Sequence, residues 1–288
     1  MSLLHPMAFR SKPYAGWPRG EAVRRTYIYR VISMNISHIA CVHSGSAKAT
    51  LRLTELAGHY DFLPPEQSDV IVALGGDGFL LHTIHNYLSL RKPIFGMNCG
   101  TVGFLMNDFG LDDLPARIEA AKAIRLPPLA MEARLEDGRV QKGLAFNEVS
   151  VTRHSGQSAN MRITIDGVER LAKFVGDGLI VSTAAGSTAY NLSAHGPIIP
   201  LGSNLLALTP VSPFRPRRWR GALLPQSAKV TLENLDADKR PLAATADFME
   251  VFGVLSIVVG EDDKNVATLL FDHDRSLEER VIAEQFAL

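Results

Sequence analysis

Two aspartates in this chain stand between glycines: Asp77 in LGGDGFLL and Asp177 in VGDGLIVS. Glycines around a carboxylate clear side chains away and let backbone amides come close to a ligand. In the first stretch Gly75, Gly76 and Gly78 surround Asp77, directly after the apolar run DVIVAL and just before a helical pattern that begins near Phe79. A strand-to-helix loop of this kind suits an anion, because the helix N-terminus adds positive partial charge to free amides. A carboxylate facing phosphates is electrostatically awkward unless it holds Mg²⁺ or accepts a hydrogen bond from an attacking hydroxyl. No Gly-Lys-Ser/Thr follows, so this is not a Walker loop, and it is not G-x-G-x-x-G. Taken alone, the tripeptide is equally an Asp-Gly turn without chemistry.

Further candidates follow along the chain. GMNCGTVGFL places Asn98, Gly100 and Gly103 shortly before Phe104, a second glycine-rich strand end that builds a wall of backbone donors beside the first. Phe104 could stack on a base or simply pack. FNEVSVTR puts Asn147 and Glu148 in an apolar strand, where neighbouring residues face opposite sides and a carboxylate needs a partner. The longest informative stretch is GDGLIVSTAAGSTAYNLSAHGPIIP, whose Thr183, Ser187, Thr188, Tyr190, Asn191 and Ser193 supply more hydroxyl and amide groups than a core requires. Such groups suit ribose hydroxyls and a base edge. His82 and His85 share a helix face at i and i+3 without a third ligand, which reads as a solvated or packed face, and no protein-built metal site is expected. His195 precedes Gly-Pro and reads as a turn residue. The cluster PFRPRRWRG is open between donor-phosphate attraction, a subunit contact and a solvated basic turn.

The elements that must position these residues fall into two groups. ISHIACV, DVIVAL and PIFGMN read as buried strands, with FLLHTIHNYLSL and DDLPARIEAAKA as helices, the second with an acidic first turn. Strands alternating with helices imply a parallel sheet whose carboxyl edge carries the loops. After RLPPL the period becomes two: LAMEARLEDGRVQ and MRITIDGVE contain Asp137-Gly138 and Asp166-Gly167 hairpin signals, and KVTLENL, MEVFGVLSIVV and ATLLFDH supply further strands. The expected fold class is therefore α/β plus all-β, a Rossmann-like parallel domain (34–125) followed by a β-sandwich-type domain (126–270). A closing helix (271–288) returns to the first domain, and a basic, poorly ordered extension (1–33) precedes Met34. The two aspartate motifs lie in unlike domains and are not a duplicated unit.

Composition bounds the function. Thirty basic residues balance thirty acidic ones among 288, so no global field draws the chain to nucleic acid or an anionic membrane. Two cysteines are too few for a disulfide framework, which favours a cytoplasmic location. Apolar runs are strand-sized, short of the roughly 20 residues of a membrane helix.

In order and spacing, GGDG, NxGxxGFL, FNEVSV and GDGLIVSTAAGSTAYNLSAHGP resemble the NAD kinase family over residues 36 to 288. The short motif is shared with other kinases; the long one is specific. The resemblance implies an enzyme that transfers the terminal phosphoryl group of Mg-ATP to the adenosine-ribose 2'-hydroxyl of NAD, giving NADP. It implies Asp77 as the base, Asn147 and Glu148 as NAD contacts, and Phe104, Thr188, Ala189, Tyr190 and Ser193 as the adenine and ribose pocket. It also implies that Asp177 reaches the dinucleotide from a neighbouring subunit, and hence a homodimer or homotetramer. Three departures stand out: Phe79 after GGDG, which bears on donor choice, Ala185 in STAAGS, and Asp247 in TADFME without a following glycine. Two alternatives remain, a diacylglycerol-type lipid kinase and a non-catalytic NAD-binding regulator. The polar STAAGSTAYNLS run argues against the first, and the retained Asp77 against the second.

Overall fold

A computed structural model describes residues 36–100 and 103–273; the basic N-terminal segment and the expected closing helix beyond 273 lie outside the described residues. The first three strands, β1 (Ile39–His43), β2 (Val70–Gly75) and β3 (Ile94–Asn98), pair in parallel, with Ile39 opposite Val70 and Ile71 opposite Ile94. Every residue of β2 is buried, as its unbroken apolar run requires in a sheet covered on both faces. The helices α1 (Ala47–Ala57) and α2 (Asp77–Tyr87) make the crossovers, so the loops leading into them gather at one edge of the sheet. A two-residue strand, β4 (Asn107–Asp108), pairs in parallel with the end of β3. The helix α3 (Leu114–Glu119) is shorter than DDLPARIEAAKA suggested: it starts after its acids, with Asp113 as a left-handed N-cap, and the chain re-enters the sheet as β5 (Lys122–Leu126).

The remaining chain builds two antiparallel sheets face to face. One contains β6 (Leu129–Leu135), β7 (Val140–Ala145), β9 (Ala159–Ile165), β10 (Val168–Gly176), β14 (Val230–Asn234) and β17 (Val254–Glu261). The other contains β8 (Glu148–Arg153), β11 (Gly178–Ser182), β12 (Leu205–Val211), β13 (Ala222–Pro225), β15 (Leu242–Ala246) and β16 (Met249–Phe252). Both contribute to one apolar core, including Met131, Phe174, Leu179, Val230 and Ile257. In β6 the buried positions alternate as the period-two pattern requires, and both hairpin signals fall at turns, Asp166 and Gly167 taking φ of 51° and 76°.

Two strand expectations are corrected. MEVFGVLSIVV is not one strand: Gly253, at φ 67°, breaks it so that β16 belongs to one sheet and β17 to the other. ATLLFDH does not join the sandwich. As β18 (Ala267–Phe271) it lies between β3 and β5 in the first sheet, parallel to the former and antiparallel to the latter. Its apolar run lacks the alternation of a sandwich strand and suits a position covered on both faces. The buried Asn107 fixes it there, donating to Leu270 O at 2.9 Å and accepting from Asp272 N at 2.9 Å, while Arg117 pairs with Asp272 at 2.7 Å.

Candidate active site

Asp77 is the first residue of α2, at the end of β2. Its carboxylate accepts from Phe104 N at 2.7 Å and Leu105 N at 3.0 Å, so it holds the loop after β3 against the loop after β2. Asn98 closes the start of that second loop, its Oδ1 accepting from Gly100 N at 2.7 Å. Lys48, on the first turn of α1, reaches the same loop and donates to Gly100 O at 3.3 Å, a cation that the sequence motifs did not single out.

The glycines divide by duty. A Cβ on Gly75 would lie 2.7 Å from the Phe79 side chain, so this glycine serves packing of the first helical turn. Phe79 itself is partly buried and packs on the core between α2 and the sheet. Gly76 and Gly78 have nothing within 4 Å of a Cβ, and Gly76 has an extended backbone that any residue adopts. Among the described residues, neither packing nor conformation demands glycine there.

Asn147 and Glu148 stand where the chain leaves β7 in one sheet and enters β8 in the other. Burial, with the neighbouring Asp247 charge as the second cause, pushes the Glu148 carboxyl up to about 7, against the backbone N–H of Tyr190 that it accepts. Its Oε2 is buried without a hydrogen-bond partner. The polar stretch 183–193 separates into two sets. Thr183, Ser187 and Asn191 are buried and fully engaged: Thr183 Oγ1 donates to Phe146 O at 2.7 Å, Ser187 Oγ bridges Ala184 O and Ile199, and Asn191 spans Ser187 O, Pro197 O and Thr209. These groups therefore are part of the core, contrary to the sequence reading of them as surplus. Thr188 and Ala189 are half-buried, and Tyr190 and Ser193, on the short helix α4 (Tyr190–Ser193), are exposed. Gly186 permits this arrangement, since a Cβ on it would lie 2.1 Å from Asn147 O.

The chain is 52% identical to an NAD kinase of Caulobacter vibrioides over 253 residues, 88% of this chain and 97% of the relative, and 51% identical to one of Hyphomonas neptunium over 86% and 98%. The chain belongs to the NAD kinase family. The family model for the ATP-NAD kinase C-terminal domain matches residues 146–247, which begin at the FNEVSV strand and end at Asp247. Among solved structures, a yeast NADH kinase complexed with NADH shares the fold at a TM-score of 0.72 and 21% identity, covering 86% of this chain and 87% of that one. An Archaeoglobus fulgidus NAD kinase in complex with ATP follows at 0.67 and 22%, covering 87% and 99%.

Within this NAD kinase fold, one candidate stands apart. Asp177 precedes β11, and the register of β8 with β11 sets Gly178 beside Thr152 but Ser182 beside Glu148. Asp177 and Glu148 thus occupy opposite ends of the strand pair, about 17 Å apart at about 3.4 Å per residue. Asp177 pairs with Arg153 at 2.7 Å. Asp247 and His85, neither of them a site candidate from the sequence, prove central. Asp247, whose side chain is fully buried, accepts from His85 Nε2 at 2.8 Å, Phe146 N at 2.6 Å, Asn147 N at 3.0 Å and Glu148 N at 3.4 Å. His82 stacks on Phe248 at 3.6 Å, so it packs against the β15–β16 turn. His195 is a turn residue, at φ 60°. Trp219 packs edge-on against Phe174 at 6.0 Å, while Arg215 and Arg217 flank the exposed Phe214 ring. No helix among the described residues is long and apolar enough to cross a membrane.

Proposed function

We propose that the chain phosphorylates the 2'-hydroxyl of the adenosine ribose of NAD with ATP, giving NADP, and that Asp77 is the group that orients the attacking hydroxyl. The observation that carries this reading is the open ground above Gly76 and Gly78, two glycines with no structural demand on them, at the N-terminus of the helix that Asp77 begins. Phosphates of the donor would lie on these amides, with Lys48 and the loop after β3 to one side. Asn147, Glu148, Thr188, Ala189, Tyr190 and Ser193 form the NAD side together with Phe104, which is tied to Asp77 through its backbone N–H. From Asp77 to His85, beneath the NAD-side turn, α2 advances about 12 Å at about 1.5 Å per residue, a distance that a dinucleotide covers.

The described residues hold no group of three His, Cys, Asp or Glu able to seat a metal. Mg²⁺ would enter with ATP as part of the substrate, bound mainly by phosphates, and Asp77 is the carboxylate that could hold it. When bound, it neutralises charge on the transferred group. Asp77 accepts the hydroxyl hydrogen bond and takes the proton late, in keeping with a loose transition state. The backbone N–H groups of Phe104 and Leu105 hold its carboxylate in place meanwhile.

Asp177 cannot serve the Glu148 end of its own chain across a strand length. It acts in the site of a second copy, which makes the working unit a homodimer or homotetramer and exchanges its Arg153 partner for substrate on assembly. We place the enzyme in the cytoplasm on its cysteine usage. Family membership leaves the lipid kinase without support. The non-catalytic regulator is separated by Asp77→Asn, expected to lower kcat by about 10²–10⁴-fold with NAD still bound. NADP formation with ATP, together with calorimetric NAD binding, decides it. A variant with near wild-type kcat removes Asp77 from the mechanism.

A further inference from the structure

The turn that carries Asn147 and Glu148 has an unusual support. Here the chain passes from β7 to β8, that is, from one sheet to the other, so the amides of Phe146, Asn147 and Glu148 have no continuous ladder to join. Buried amides need acceptors. All three donate to the single carboxylate of Asp247, and Asp247 N donates back to Glu148 O at 3.3 Å. Asp247 comes from the two-residue turn between β15 and β16, where it adopts φ 48°. A left-handed backbone at a non-glycine residue and a fully buried carboxylate are both costly, and here they coincide.

The fourth donor to this carboxylate comes from the other domain. His85 Nε2 lies 2.8 Å from Asp247 Oδ2, and the imidazole is held by edge contacts with Phe146 at 5.3 Å and Phe248 at 5.7 Å. His85 is on α2, the same helix that begins at Asp77. One rigid element therefore carries the donor loop at its N-terminus and, about two turns on, the group that completes the Asp247 cluster.

We propose that His85 and Asp247 are a positioning pair, through which α2 holds the Asn147–Glu148 turn in its NAD-binding geometry and aligns it with the phosphoryl donor loop. The proposal rests on the reading that this turn binds NAD. Neither His85 nor Asp247 need touch either substrate. A buried carboxylate with four donors keeps the turn amides fixed, and loss of the imidazole donor frees one side of the cluster while leaving the backbone bonds in place.

The experiment compares His85→Ala, His85→Gln and Asp247→Asn with the parent in the full chain. It reads NAD binding by calorimetry without donor, KM for NAD and for ATP, kcat, and thermal midpoint. For His85→Ala we expect NAD affinity and KM for NAD to weaken by about fivefold or more, with KM for ATP within about twofold. His85→Gln, which keeps an N–H donor, restores most of the loss. Asp247→Asn, which retains an acceptor but loses charge, falls between the two. Unchanged NAD affinity in His85→Ala overturns the proposal. So does equal weakening in the Ala and Gln variants, or parallel loss of ATP and NAD binding with the thermal midpoint, which would mark general destabilisation. Glu148→Gln is the control for the underlying reading: if it leaves NAD affinity unchanged, the turn does not bind NAD, and that failure is separate from failure of the coupling.

Discussion

Glu148→Gln should alter how the stability of the protein depends on pH. Burial chiefly, and then the Asp247 charge, move the Glu148 carboxyl from 4.5 to about 7. Across that window the native chain holds a proton that the unfolded chain has released, so stability falls as pH rises. A displacement of that size corresponds to roughly 3 kcal/mol, most of which is lost between pH 5 and pH 8. The glutamine amide carries no charge and loses nothing over the range. It leaves an N–H group where Oε2 is already unpartnered, at about 1–3 kcal/mol, but that cost is the same at both pH values. His85, joined to Asp247, is common to both proteins and cancels in the comparison. Urea unfolding of parent and variant at pH 5 and pH 8 measures the effect: the parent should lose on the order of 2–3 kcal/mol more than the variant on going to pH 8. If the difference between the two proteins is the same at both pH values, Glu148 is not held near neutrality by its surroundings.

Gly76→Ala should leave stability within about 0.5 kcal/mol by urea unfolding, because its Cβ meets nothing, but raise KM for ATP. Gly186→Ala should instead destabilise by about 3 kcal/mol, since its Cβ would strike Asn147 O; equal stability of the two variants would undo the division of the glycines. Asp177→Asn should weaken NAD binding by on the order of 1.5–3 kcal/mol, measured by calorimetry. At an NAD concentration too low to saturate the Asp177→Asn protein, mixing Asp77→Asn with Asp177→Asn chains and allowing exchange should restore about a quarter of parental activity, because one site of each mixed dimer is then intact. Absence of restoration after verified exchange would place both aspartates in one chain's site.

The three parallel strands, the helix after GGDG and the period-two strands were legible because unbroken apolar runs and alternation follow directly from being covered on two faces or one. ATLLF carried the same signal and was misassigned, since its composition says only that it is buried, and which sheet buries it depends on Asn107 and Arg117 far along the chain. The motifs located Asp77 and Glu148 through their local chemistry. Thr183, Ser187 and Asn191 were of the same residue types as Thr188 and Ser193, and only the packed structure separates those that hold the framework from those that face outward. Asp247 stood out in the sequence only as an acid in TADFME without the following glycine that the family pattern has. Its importance arises because three chain-distant pieces, α2, the β7–β8 crossing and the β15–β16 turn, meet around one carboxylate. Local sequence fixes propensity and the chemistry available; convergence of separated segments on a buried charge is a property of tertiary packing alone.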